Sequence, residues 1–172
     1  MNNYLLTLNK EYECIDIVYG KNINTKTLKI IEDENAFMLI DGYFINAEEF
    51  VNKNSAGESI ELEKLLFKLS KINFNDFGQL DGSFNIFFFD KKKNNFVYTN
   101  DFWSSRPTYI HKTKSKYLFS NDLYFLKKYI KCELTPNLKK IKELLAWQQI
   151  GSRSTYYNEI DKRIYDKFKD KI

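Results

Sequence analysis

The chain has 172 residues, 43% of them hydrophobic, which is enough for one substantial core. The formal net charge is only +4, and the lysines are interspersed with acidic and asparagine residues, which argues against a nucleic-acid-binding patch. Two cysteines are too few for a disulfide framework, and no apolar stretch approaches the roughly 20 residues that span a membrane, so we expect a cytoplasmic protein with neither nucleic-acid nor membrane partners.

Strand patterns dominate the first third of the chain. Apolar patterns predict strands at residues 4–8, 13–18, 27–31 and 36–40, with alternation in the second of them. The last two form a hairpin around the polar turn 32–35. A helix is predicted to open at Ser59, because apolar residues follow it at helical spacing.

Residues 80–122 contain four apolar or aromatic segments separated by polar turns. Phe84–Phe89 is a continuous apolar run except for Asn85, which is typical of a strand buried on both faces. Phe96–Thr99 returns as its hairpin partner. A second hairpin is predicted for 107–111 and 116–120, so this region is a meander of strands.

Two helices and a tail complete the pattern. A short helix is predicted from Leu123, capped by Asn121 or Asp122, and a second helix follows Pro136. Trp147 lies at core spacing on that second helix. We predict a domain over residues 1–160 and an amphipathic tail over 161–172, which is either a helix or a solvated terminus.

The order of several short motifs resembles the glutaminase-type domain at the N-terminus of asparagine synthetases, a class II glutamine amidotransferase. Asp41-Gly42 and the segment after it are similar to the family's Asn-Gly-Glu-Ile-Tyr-Asn stretch. Thr155 and Ile160 are similar to its closing Thr-x-x-x-x-Ile. The positions that match the central motifs are Leu80, Gly82, Phe84, Asp90, Asp101, Pro107, Tyr109, Phe119, Ser120 and Asp122.

This resemblance covers about residues 36–160 and implies an α+β fold. The expected architecture is the four-layer αββα sandwich of N-terminal-nucleophile hydrolases, built from two antiparallel sheets. The resemblance implies no cofactor and no metal, and the two cysteines show no metal-binding spacing. We interpret Cys14 and Cys132 as buried or half-buried structural thiols.

The family's chemistry requires an N-terminal cysteine nucleophile and an oxyanion hole formed by its Asn-Gly motif. This chain begins Met1-Asn2, and a carboxamide cannot replace the thiolate. Asp41 replaces the oxyanion asparagine and offers a negative charge where negative charge must develop, while Gly42 is expected to keep its backbone donor. We therefore expect a vestigial pocket of Asn2, Asp41, Gly42 and Glu61, with no catalytic residue.

Other family features are displaced or missing. The acidic residue that holds the substrate amino group falls at Ser59 or Glu61, and no arginine precedes Arg106 to grip the substrate carboxylate. Trp103 and Arg106 are candidates for a ligand or partner contact by stacking, although packing of their loop on the domain is the alternative.

Three functional hypotheses remain open. The first is a catalytically degenerate amidotransferase-like domain that binds or scaffolds a separately encoded, ATP-dependent amide-forming enzyme, or that forms a homodimer. The second is an active amidotransferase or hydrolase with a processed N-terminal nucleophile, for which Cys14 is one candidate. The third is an unrelated β-rich binding module.

Overall fold

The computed structural model describes residues 3–9, 14–20, 26–72, 74–148, 154–163 and 168–171. The strands within these residues are β1 (Tyr4–Asn9), β2 (Cys14–Tyr19), β3 (Leu28–Glu32), β4 (Ala36–Phe44), β5 (Gly82–Asp90), β6 (Asn95–Asn100), β7 (Thr108–Lys112), β8 (Lys116–Ser120), β9 (Asp161–Arg163) and β10 (Phe168–Lys171). The helices are α1 (Ala47–Asn54), α2 (Leu62–Ile72), α3 (Leu123–Lys127) and α4 (Leu138–Trp147), with a 3-10 helix at Phe74–Gln79.

The chain forms two compact units that alternate along the sequence. Unit 1 comprises Met1–Asn24 and Pro107–Ile164, and unit 2 comprises Thr25–Arg106 and Tyr165–Ile172. Unit 1 contains the antiparallel sheet β2-β1-β8-β7-β9, and unit 2 contains the antiparallel sheet β10-β6-β5-β4-β3. The predicted α+β class with two antiparallel sheets is therefore confirmed.

Strand β5 lies at the centre of the unit 2 sheet, paired with β4 on one side and β6 on the other. Its side chains alternate between the two faces because a strand has a period of two. Phe84, Ile86 and Phe88 belong to the core cluster that includes residues of helices α1 and α2. Phe87 and Phe89 are buried on the opposite face, so the prediction of a strand buried on both faces is confirmed.

Helices α1 and α2 cover one face of the unit 2 sheet. On α2, Leu62, Leu65 and Leu66 recur at helical spacing and are buried against the strand residues, while Phe50 is the buried residue of α1. Each fully buried side chain of this kind contributes about 1.5–3 kcal/mol of transfer free energy. The apolar face of α2 thus fixes the helix on the sheet.

Strand β1 is an interior strand of the unit 1 sheet and pairs with β2 and β8. Helix α3 follows β8 directly and begins at its predicted cap, because the Asp122 carboxylate accepts a hydrogen bond of 2.7 Å from the Phe125 amide. Leu123 and Leu126 pack from this helix into the core cluster of unit 1 with Leu5.

Three sequence predictions need correction. The tail is not helical in its described parts, since residues 161–163 form β9 beside β7 and residues 168–171 form β10 beside β6. Helix α4 has no buried residue, and Trp147 is 74% exposed instead of lying in the core. Cys132 is exposed and is not a buried thiol, while the side chain of Cys14 lies outside the described part.

No helix among the described residues is long and apolar enough to cross a lipid bilayer.

The burial of Phe87 can be tested by truncation. Phe87 is fully buried and packs against Tyr98, with ring centroids 4.9 Å apart. Replacing it with alanine removes these contacts and leaves a cavity, so Phe87→Ala should lower the free energy of unfolding by about 3–5 kcal/mol in a denaturant titration. The control is Phe102→Ala, an exposed phenylalanine whose loss should cost less than about 0.5 kcal/mol. A cost below about 1 kcal/mol for Phe87→Ala would show that this strand is not in the core.

Candidate functional site

The Asp41-Gly42 pair lies near the end of β4, where β4 and β5 approach closely. Gly42 is paired with Phe84 and has a φ of +142°, which other residues rarely adopt. A Cβ atom at Gly42 would lie 2.1 Å from the Ser83 carbonyl oxygen. Gly82 faces the same constraint on the opposite strand, so the two strands require glycine at both positions.

The backbone N–H of Gly42 is already engaged. It donates a hydrogen bond of 2.7 Å to the carbonyl oxygen of Thr27, next to strand β3. The expectation that Gly42 keeps a donor for an oxyanion is therefore wrong, because strand pairing has used that donor.

Asp41 is fully buried and forms an ion pair with Arg106. The Arg106 Nη1 donates to Asp41 Oδ1 at 2.9 Å, and the Arg106 Nε donates to the Ser83 carbonyl oxygen at 3.0 Å. A buried carboxylate is tolerated when it is paired and hydrogen-bonded in this way. Sequence reasoning treated these residues separately, and the structure brings them together across 65 positions of the chain.

The loop from Asp101 to Arg106 is organised by the Asp101 carboxylate. This buried group accepts hydrogen bonds from the amides of Trp103 at 3.0 Å and Ser105 at 3.2 Å, and from the Ser105 hydroxyl at 2.9 Å. It also accepts a bond from the Phe84 amide at 3.3 Å, which ties the loop to β5. The side chain of Asp101 thus fixes the backbone that delivers Arg106 to Asp41.

A row of polar residues crosses the sheet beside this pair. Asp41 on β4 is in register with Asn85 on β5, which is in register with Asn100 on β6. Directly paired residues share one face of an antiparallel sheet, so the three side chains lie on the face opposite α1 and α2. Asn85 Oδ1 accepts a hydrogen bond of 3.0 Å from the Tyr98 hydroxyl.

Part of this polar row has no protein partner. Both atoms of the Asn100 side-chain amide, and Nδ2 of Asn85, are buried without a hydrogen-bond partner among the described residues. The sequence signals were an asparagine inside the phenylalanine run of β5 and another directly before Asp101. Neither was recognised, because the pattern of β5 was dominated by its aromatic residues.

Glu61 was expected in the pocket but lies outside it. Its side chain is exposed and pairs with Lys64 at 3.1 Å on the surface. Glu63, two residues further along the chain, lines a cavity of about 210 Å³ together with Gly42 and Lys29.

The Glu63 carboxylate is ion-paired with Lys29 inside this cavity. Burial raises the pKa of Glu63, but the hydrogen bonds it accepts and the charge of Lys29 outweigh burial, so the pKa lies below its ordinary value. Glu63 is thus ionised at neutral pH and already neutralised by its partner.

Two other residues predicted for the site, Trp103 and Asn2, do not join the Asp41 cluster in the part of the chain that the structure describes. Trp103 is 83% exposed and makes an edge contact with Phe102, with centroids 5.1 Å apart, so the side chain does not pack into a core. Asn2 lies outside the described residues. Among the described residues, no group of three His, Cys, Asp or Glu side chains could hold a metal ion.

The arrangement around Asp41 is poorly suited to stabilising an oxyanion. A carboxylate accepts hydrogen bonds and repels negative charge. The neighbouring Gly42 amide donates elsewhere, and the Arg106 charge is balanced by Asp41. The cluster is a neutralised, buried polar centre between β4, β5 and the loop that follows β6.

Comparisons with known proteins yield structural similarities only. No protein-family model and no curated protein matches the sequence. One similar solved structure is the glutamine phosphoribosylpyrophosphate amidotransferase from B. subtilis in complex with ADP and GMP, with 13% identity over 73% of this chain and a TM-score of 0.48. Another is the allosteric regulatory enzyme of purine biosynthesis, with 11% identity over 73% and a TM-score of 0.49. The chain spans only 36% and 37% of the lengths of these proteins.

The ion pair predicts strong coupling between its two members. Arg106→Met should lower the free energy of unfolding by about 3–5 kcal/mol, because it leaves the Asp41 carboxylate buried without its guanidinium. The double variant Asp41→Asn with Arg106→Met should recover part of this loss, since no buried charge then remains. Denaturant titration of the two single variants, Arg106→Met and Asp41→Asn, and of the double variant measures the coupling.

Lys64→Met is the matched control, since it breaks the exposed pair with Glu61. It should change stability by less than about 1 kcal/mol. Equal, additive losses for the two buried substitutions would show that Asp41 and Arg106 do not depend on each other.

Proposed function

We propose that this chain is a catalytically inactive, glutamine-amidotransferase-like domain that binds or scaffolds a separately encoded, ATP-dependent amide-forming enzyme of the asparagine synthetase type. The observation that carries the proposal is the Asp41–Arg106 ion pair at the position that resembles the family's oxyanion motif. The support comes from the chemistry of that position together with the serial order of the sequence motifs.

Glutamine hydrolysis of this class develops negative charge on the former amide oxygen, and catalysis requires donors aimed at that oxygen. An ionised Asp41 side chain can only accept hydrogen bonds, and the Arg106 guanidinium donates one to it. The Gly42 amide donates to Thr27. Removing a single oxyanion donor typically lowers the rate by about 10²–10³, and here two donors are compromised.

The proposed binding of a synthetase-like protein rests on what ATP-dependent amide formation requires. ATP-dependent ligation needs a phosphate-binding loop, and the six glycines of this chain do not form the family's Ser-Gly-Gly-x-Asp motif. In this proposal, the activation step belongs to the separate synthetase-like protein. A domain that binds such a polypeptide needs exposed anchor residues, and tryptophan is enriched among them.

Trp103 is the anchor that we assign to this contact. Its side chain projects into solvent, whereas its backbone amide is fixed by the Asp101 carboxylate. A rigid backbone reduces the entropy lost on binding. The loop thus displays an aromatic surface that is already held in one conformation.

The proposal predicts an absence of glutaminase activity. Purified protein incubated with glutamine should release no ammonia above a buffer control. Neither Asn2→Cys nor Asp41→Asn alone should restore release, because each leaves other requirements of the chemistry unmet. Robust turnover by the unmodified protein would instead support the alternative of a processed N-terminal nucleophile, which intact-mass measurement would identify.

A second measurement addresses binding. The product of a neighbouring synthetase-like gene, mixed with this protein, should form a complex in sedimentation velocity and calorimetry. Trp103→Ala should weaken that complex at least about tenfold, as expected for an interface anchor. Trp147→Ala is the matched control, because this tryptophan is also exposed but lies on α4 of unit 1.

The absence of a complex would contradict the binding role. Complex formation that depends on Trp147 but not on Trp103 would contradict the assignment of Trp103 as the anchor. A stable homodimer that excludes the synthetase-like protein would replace scaffolding by self-association.

A further inference from the structure

Unit 1 contains a cavity of about 320 Å³ that takes no part in the Asp41 site. It is bounded by strands β7 and β9 and by helices α3 and α4. Its volume falls at the lower end of the range for small-molecule sites, about 300–1,000 Å³. The residues around it combine one cationic side chain with hydroxyl groups and an apolar wall.

The cationic side of the cavity is built on two neighbouring strands. Tyr109 on β7 is directly paired with Lys162 on β9, so both side chains lie on the same face of the sheet. Both line the cavity. Lys162 is half-buried, and among the described residues no carboxylate lies within ion-pairing distance of its ammonium group.

The Tyr109 hydroxyl remains a hydrogen-bond donor at neutral pH. Burial is the main effect that raises the pKa of Tyr109 above its ordinary value, followed by the charges of Asp122 and Tyr156. The neutral phenol can therefore donate to an anionic oxygen beside Lys162.

Asp122 is the acidic group that could oppose an anion in this region. It does not line the cavity, and its two oxygens are committed to other groups. One accepts the Phe125 amide at the start of α3, and the other accepts the Asn3 side-chain amide at 3.1 Å.

The opposite wall of the cavity is apolar. Leu123 of α3 and Leu144 of α4 face it, and Tyr156 adds a partly exposed ring. A small inorganic anion would leave these apolar surfaces in contact with water. An apolar body would cover them and gain about 25 cal/mol for each Å² removed from water.

We propose that this cavity binds a small organic monocarboxylate with an apolar body, with the carboxylate between the Lys162 ammonium and the Tyr109 hydroxyl and the body against Leu123 and Leu144. This site is separate from the Asp41 cluster, and its test does not depend on amidotransferase ancestry or on a protein partner.

Phenylacetate is a suitable probe, and benzyl alcohol is its neutral counterpart with the same ring. Titration of the full chain by calorimetry or by NMR should show saturable binding of phenylacetate. Benzyl alcohol should bind at least about tenfold more weakly, because it cannot form the charge-assisted contact. Hexanoate, which has the same charge and an aliphatic body, should also bind.

Lys162→Met keeps the apolar stem of the side chain and removes its charge, so it should weaken phenylacetate binding at least about tenfold. Lys142→Met is the matched control, because Lys142 is an exposed lysine of α4 that does not line this cavity. Tyr109→Phe removes only the hydroxyl and should weaken binding severalfold. It also provides the test if the Lys162 variant fails to fold, as judged by thermal unfolding.

The proposal is overturned if neither phenylacetate nor hexanoate binds saturably. It is equally overturned if benzyl alcohol binds as tightly as phenylacetate, or if a folded Lys162→Met protein keeps the original affinity. Equal losses in the Lys162 and Lys142 variants would indicate a general electrostatic effect and would also contradict a defined site.

Discussion

The buried carboxylate of Asp41 imposes the constraint on which the centre of unit 2 depends. A charge removed from water must be paired, and its partner Arg106 comes from a loop beyond the next two strands. That loop reaches it only because Asp101 holds the intervening backbone. The close approach of β4 and β5 completes the arrangement, since Gly42 and Gly82 allow it. The buried ion pair is thus embedded in a consistent structural network.

The two members of this ion pair depend on each other energetically. A buried ion pair often contributes little net stability compared with well-packed apolar residues, yet each member becomes indispensable while the other remains. Replacing Asp41 alone with asparagine would therefore leave the Arg106 charge without its partner. The exposed Trp103 lies in the same loop as Arg106. The Asp101 carboxylate therefore holds the loop backbone that carries both residues.

The sequence predicted those elements whose signal is local. The phenylalanine run of β5, the hairpins and the Asp122 cap depend on neighbouring residues, and the structure contains each of them. The Asp41–Arg106 pair was not predictable in this way, because its members are 65 positions apart. Helical spacing on α4 indicated a helix but could not show what its apolar residues contact. Apolar residues four apart in the tail suggested a helix, whereas pairing with β6 and β7 made its described parts strands.

The alternation of the two units has a consequence for biosynthesis. Strand β1 must pair with β8, and the Ser120 hydroxyl bonds to the Tyr4 carbonyl across 116 positions. At about 5–20 residues per second, a ribosome needs roughly 6–23 seconds to synthesise that interval. During this time one edge of β1 has no partner strand, and unpaired edges promote association with other chains. Translation speed and chaperone access before β8 emerges should therefore influence the yield of folded protein more than the later synthesis of β9.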